Sequence, residues 1–162
     1  ERAHCIERFE GFVRRLFPLL ACETRTYVAQ VTEAYLNDAA SFAFEPRLVH
    51  ADIDERNLLV DPKTGALTGV IDFGDAKIGN PADDYAWAFC GGFARLGIED
   101  QLDSLLRAGS PNAAPLAGRR AWAPVWWALN DLEHGLDVQD DAFATEALQR
   151  LNDLVPRGMT CV

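Results

Sequence analysis

"LVHADIDERNLLVD", residues 48–61, decides how this chain is read. It carries His50, Asp52 and Asn57 in the spacing H-x-D-x-x-x-x-N, framed by short apolar runs. Further along, "GVIDFGDA", residues 69–76, sets Asp72 at the end of another apolar run. A carboxylate is costly to bury without a partner, so Asp52 and Asp72 call for an explanation at strand ends that otherwise read as core. Two such carboxylates beside one carboxamide make an oxygen donor set suited to Mg²⁺. Phosphoryl transfer uses a set of this kind, with one carboxylate to accept or orient the attacking hydroxyl.

Working outward, "RLVH" (47–50), "NLLV" (57–60) and "LTGVID" (67–72) read as short strands. The last two are joined by "DPKTGA" (61–66), whose Asp-Pro and Gly fit a hairpin turn. Upstream, Ile6, Phe9, Phe12, Val13, Leu16 and Phe17 recur at helical spacing until Pro18 stops them. A second helix is expected over 24–40, with Val28, Val31, Tyr35 and Leu36 buried. Downstream, Asp83 or Asp84 is placed to cap a helix through "DYAWAFCGGF". Further helices are expected over 98–108, 115–134 and 141–154, with Gly109-Ser110-Pro111 between the first two and Gly135 ending the next. The "DVQDDAF" run reads as a helix start. No repeat or linker divides the chain, so the expected fold class is α+β and mostly helical, in one domain.

The composition narrows the function classes. A hydrophobic fraction of 49% over 162 residues supports a real core. No apolar stretch approaches a membrane span, and "ERAHCIERFEGF" has no signal-peptide core. A net charge of −10 argues against nucleic acid and anionic membranes as partners and would suit a cationic small substrate. Cys5, Cys22, Cys90 and Cys161 form no C-x-x-C pair. They are expected to be free thiols in a cytoplasmic protein, with Cys90 in the core. The three His are scattered, which argues against a transition-metal site.

The pattern resembles the aminoglycoside phosphotransferase family, small-molecule kinases that share the eukaryotic protein kinase fold. That family typically reads HGDLHPxN, then an apolar strand, a turn, and IDFGDAxxGDPxxDLA. This chain has "HADIDERN", "LLVD" and "VIDFGDAKIGNPADDYA", so the likeness is detailed over residues 48–87. The resemblance implies that Asp52 is the catalytic residue and that Asn57 and Asp72 hold Mg²⁺. It implies that His50 and Asp84 support the loop, and that ATP or GTP is the phosphoryl donor. A role in antibiotic resistance is implied as well. The chain departs from the pattern in Ala51 for Gly, Asp54-Glu55 for His-Pro, and Asn80 for Asp. Asp54 and Glu55 add negative charge beside the expected phosphate position, which Arg56 partly offsets.

The resemblance also shows what this stretch lacks. Gly11 is the only glycine before His50, and the only lysines, Lys63 and Lys77, follow the catalytic loop. Neither a Gly-rich phosphate cover nor an upstream nucleotide-clamping Lys is present. Residues 1–162 therefore read as the C-terminal lobe of a protein-kinase-like phosphotransferase, with the N-terminal lobe as its partner, expected before Glu1. A kinase-fold binding module without catalysis is the competing reading, and a Mg²⁺-dependent phosphohydrolase the third.

For the acceptor, "AWAPVWWALNDLEHGLD" (121–137) is the informative stretch. Trp122, Val125, Leu129 and Leu132 share a core face. Trp126, Asn130, Asp131, Glu133 and His134 are the candidate acceptor residues, since carboxylates near aromatic faces suit a polyamine-like sugar. A solvated face with an Asp131–His134 pair is the bland alternative. A macrolide acceptor is the other, in view of the four Trp.

Overall fold

Pro18 and the apolar spacing before it set the first elements. Helix α1 runs Arg2–Arg15 and gives way to a 3-10 turn, Phe17–Leu19, with Pro18 in its first positions. The structure, a computed structural model, describes residues 1–88, 90, 101, 104 and 114–161. Helix α2 spans Cys22–Asn37, α3 Ala82–Trp87, α4 Ala114–Asp137 and α5 Asp141–Asp153. Four short strands lie between α2 and α3: β1 Arg47–Val49, β2 Leu58–Val60, β3 Leu67–Val70 and β4 Lys77–Gly79. Apart from residues 101 and 104, the helix expected over 98–108 and the break at Gly109-Ser110-Pro111 lie outside the described residues.

The chain packs as two compact units, residues 1–42 with 121–162, and residues 43–120. No linker marks the division because the first unit is assembled from both ends of the chain.

The first unit is a helical cluster. Its core is Phe12, Leu16, Leu20 and Val28, packed with Val125, Ala128, Leu129 and Leu132 of α4 and Ala144, Ala147 and Leu151 of α5. A second cluster joins Cys5, Tyr35 and Trp122, the Tyr35 and Trp122 rings stacked at 4.2 Å. The expected α4 face is therefore buried. Ile6 and Val13 are exposed, against expectation, because α1 buries the stripe of Cys5, Phe12 and Leu16 instead. In α2 the buried face is Thr24, Val28, Thr32 and Tyr35, with Val31 and Leu36 at its margin. Gly135 does not end α4. A Cβ there would stand 2.8 Å from the Ala144 backbone nitrogen, so the glycine lets α4 and α5 approach closely. Asp140 caps α5 by accepting from the Phe143 amide at 3.0 Å. Cys22 and Cys161 are disulfide-bonded, which corrects the expectation of four free thiols; Cys5 and Cys90 are free. Cys90 is only half-buried rather than core, yet burial pushes its thiol up to about 12.

The second unit carries two antiparallel ribbons. β2 and β3 form the expected hairpin, with a register shift between Leu59 and Val60. Its turn is held by Asp61, whose carboxylate accepts from the Lys63 amide at 2.7 Å, and by Gly65 at φ +70°. β1 pairs with β4, a strand the sequence pattern did not suggest. Asn80 starts α3 by accepting from the Ala82 amide at 3.0 Å; neither Asp83 nor Asp84 is its cap. Asp83 instead pairs with Arg119 and Lys77. Among the described residues no helix is long and apolar enough to cross a membrane.

Candidate active site

The loop between β1 and β2 is built by side chains that hold its backbone. Asp84, in the first turn of α3, accepts from the His50 amide at 2.9 Å and from the Ala51 amide at 2.7 Å. This double contact leads into a left-handed residue, Ala51 at φ +66°, where a side chain is unfavourable. His50 is buried, and its Nε2 donates to the Ile71 carbonyl at 2.8 Å. Its Nδ1 accepts from the Asp52 amide at 3.3 Å, so the two contacts select the Nε2–H tautomer.

Asn57 closes the other side. Its Nδ2 donates to the Asp52 carbonyl at 2.8 Å and to Asp52 Oδ2 at 3.1 Å. The carboxylate of Asp52 is thereby oriented by the residue five positions on, while the Asn57 amide oxygen stays out of that contact. The loop is also tied to the segment before Asp72. The Ile71 amide donates to the Asn57 carbonyl at 3.0 Å, next to the Ile71 carbonyl that binds His50. Phe73 packs on the His50 ring at 4.7 Å. Asp72 is exposed and left-handed, at φ +63°, a conformation aspartate tolerates better than most residues. Among the described residues no three His, Cys, Asp or Glu side chains gather into a metal-holding group. Asp52, Asp72 and the Asn57 amide each carry hard oxygen donors of the kind Mg²⁺ takes.

Asp54 and Arg56 behave otherwise than their charges suggest. Asp54 is buried and caps the 3-10 turn Glu55–Asn57, accepting from the Arg56 amide at 2.7 Å. It also accepts from Arg56 Nε at 2.8 Å and pairs with Nη2. The Arg56 contact holds the Asp54 carboxyl below the usual carboxylate range, and the pair raises the guanidinium in turn. This pairing was missed in the sequence because a count of charges does not say which way they face.

The candidate acceptor residues lie in the other compact unit, on α4, and each has a partner there. Trp126 packs on Trp122 and edge-on against Phe12. Asn130 accepts from Arg8 at 3.1 Å and donates to the Trp126 carbonyl at 2.7 Å. Glu133 is buried between Arg8 and Arg15. Asp131 pairs with Arg150 at 2.8 Å rather than with His134, whose ring meets Phe143 edge-on.

The family model for the phosphotransferase enzyme family matches residues 6–122, more than half of the chain. The chain belongs to the phosphotransferase enzyme family. No curated protein matches it. Among solved structures, the GDP complex of an aminoglycoside 2'-phosphotransferase aligns at TM-score 0.78 and 24% identity, covering 94% of this chain and 50% of that one. A gentamicin–APH(2") complex aligns at TM-score 0.68 and 23% identity, covering 94% and 51%. A macrolide 2'-phosphotransferase aligns at TM-score 0.65 and 21% identity, covering 93% and 47%. At these identities the structural likeness speaks for the fold, the helix-rich, kinase-like half of such phosphotransferases. This phosphotransferase-family chain spans about half the length of the structures it matches.

Proposed function

We propose that this chain is the catalytic half of a small-molecule kinase that moves the γ-phosphoryl group of ATP or GTP to a substrate hydroxyl. The observation that carries this reading is the Asp52 carboxylate, held by Asn57 within a loop whose amides are fixed by Asp84. In the proposed reaction Asp52 accepts the hydroxyl proton while the acceptor oxygen bonds to the γ-phosphorus. The bond to the bridging oxygen breaks, and a nucleoside diphosphate leaves. Asn57 and Asp72 are the proposed Mg²⁺ ligands. When bound, the ion would neutralise charge on the phosphate oxygens. His50 and Asp84 keep the loop in shape and touch no reactant. The other half of the nucleotide site is proposed to come from a region corresponding to the remainder of the matched structures.

For the acceptor, an aminoglycoside-like molecule is the first reading. The matched structures bound to kanamycin and gentamicin support it, and Asp131 and His134 lie on the same helix stretch. A less cationic, macrolide-like acceptor is the second. It is favoured by the arginines that already neutralise Glu133 and Asp131.

The test uses a protein carrying this chain together with a nucleotide-clamping lobe, assayed on aminoglycosides and macrolides. Asp52→Asn keeps the shape but removes the base, so turnover should fall by about 10²–10⁴. Unchanged turnover would remove Asp52 from the chemistry. Phosphate release without phosphorylated acceptor would point to a hydrolase.

A further inference from the structure

After Ile53, Asp54-Glu55 in place of His-Pro and the Arg56 that follows put a cation, not an anion, on the outside of the catalytic loop. Asp54 is turned inward at 4% exposure, while the Arg56 side chain is 75% exposed. The guanidinium is not loose. One edge, Nε with Nη2, is docked on the Asp54 carboxylate, which also caps the Arg56 amide. The opposite edge, Nη1, has no partner among the described residues. Asn57, the next residue, reaches back to the Asp52 carbonyl and carboxylate, so Arg56 belongs to the same closed turn as Asp52. The negative charge of Asp52 is felt at the Arg56 guanidinium.

The chemistry of the loop calls for such a cation. Asp52 and Asp72 are both negative, and a polyphosphate approaching them meets repulsion that a metal only partly relieves. The chain's two lysines, Lys63 and Lys77, lie elsewhere, in the hairpin turn and on β4. A guanidinium with one edge fixed and the other facing outward is pre-organised to give parallel N–H bonds to phosphate oxygens.

We propose that Arg56 is a phosphoryl-oxygen ligand of the catalytic loop, with the buried Asp54 carboxylate holding it in place. The proposal rests on the phosphoryl-transfer reading of this loop. In it Asp54 is the positioning residue, and the ligand class is an oxyanion of a phosphoryl group. A purely structural Asp54–Arg56 pair is the contrary case.

The test titrates magnesium pyrophosphate into the 162-residue chain and follows the Arg56 Nε–H and the loop amides by NMR. Arg56→Ala should weaken binding about tenfold, the loss of one charge-assisted contact. Arg56→Lys should recover part of it, since charge is kept but the fork is lost. Asp54→Asn should weaken binding while Arg56 is still present. Asp72→Ala serves as the metal control. If Asp72→Ala abolishes binding while Arg56→Ala leaves it unchanged, the Arg56 assignment falls and the phosphoryl-transfer reading stands. If neither variant changes binding, both fall. Should Arg56→Ala fail to fold, Arg56→Gln keeps the length, and unchanged affinity in that variant overturns the proposal.

Discussion

Ala51 occupies a backbone conformation that favours glycine, and Asp84 holds the His50 and Ala51 amides that lead into it. Ala51→Gly should therefore raise stability by about 1 kcal/mol, net of the entropy glycine loses on folding, and thermal unfolding would show it. The Asp54 carboxyl is held low in the folded chain by Arg56. A depressed carboxyl stabilises the fold above its unfolded value of 3.8 and loses that contribution as pH falls through the folded value. Unfolding measured below about pH 4 should thus be steeper in the unaltered chain than in Asp54→Asn. At this scale Asp52 and Asn57 were legible because carboxylates and amides among apolar runs need partners, and His50 and Asp84 through the family resemblance. The torsion of Ala51 left no mark beyond replacing a glycine. The inward turn of Asp54 left none, since its partner is fixed by a capping geometry that composition does not express.

Between elements, the tightest constraint is the crossing of α4 and α5 at Gly135. A methyl group there would meet the Ala144 backbone at 2.8–3.0 Å, and backbone cannot swing aside as a side chain can. Gly135→Ala should cost about 1–3 kcal/mol, seen as a lower denaturation midpoint with an unchanged slope. The hairpin β2–β3 was legible because its turn residues and both strands are local in sequence. β4 was not. "KIG" is three residues long, lies among turn formers, and pairs with β1 thirty positions upstream. Gly135 was read as a helix end for a similar reason. A glycine that admits a neighbouring helix looks the same in sequence as one that stops its own.

Across the whole molecule, the apolar surface is unevenly covered. The helical unit buries a large cluster and leaves Ile6, Val13, Leu19 and Val138 exposed, whereas in residues 43–120 the cross-strand pair Leu48 and Ile78 is 65% and 71% exposed. Val60 and Leu67, paired across the hairpin, are exposed too, as is Phe73. Apolar patches of this kind on an isolated chain favour association. Sedimentation of the 162-residue chain should show self-association that rises with concentration, and Leu48→Lys with Ile78→Lys should reduce it. A monomer at all concentrations would mean the patch is covered in solution. The Cys22–Cys161 link belongs to this scale as well. It joins residues 139 apart in sequence, and nothing local to either cysteine announces the other.

The assembly of the helical unit from residues 1–42 and 121–162 bears on the chain's birth at the ribosome. Helices α1 and α2 are made before α4 and α5, yet Phe12, Leu16 and Val28 find partners in those later helices. During synthesis those two helices must wait, with apolar stripes open to water or to a chaperone, while the whole intervening unit is made. Residues 43–120 are contiguous and can settle first. Helices α4 and α5 then close the cluster, and Cys161, made after both, can meet Cys22 only once it has emerged. A ribosome stalled short of α4 would therefore hold α1 and α2 with their apolar stripes still uncovered.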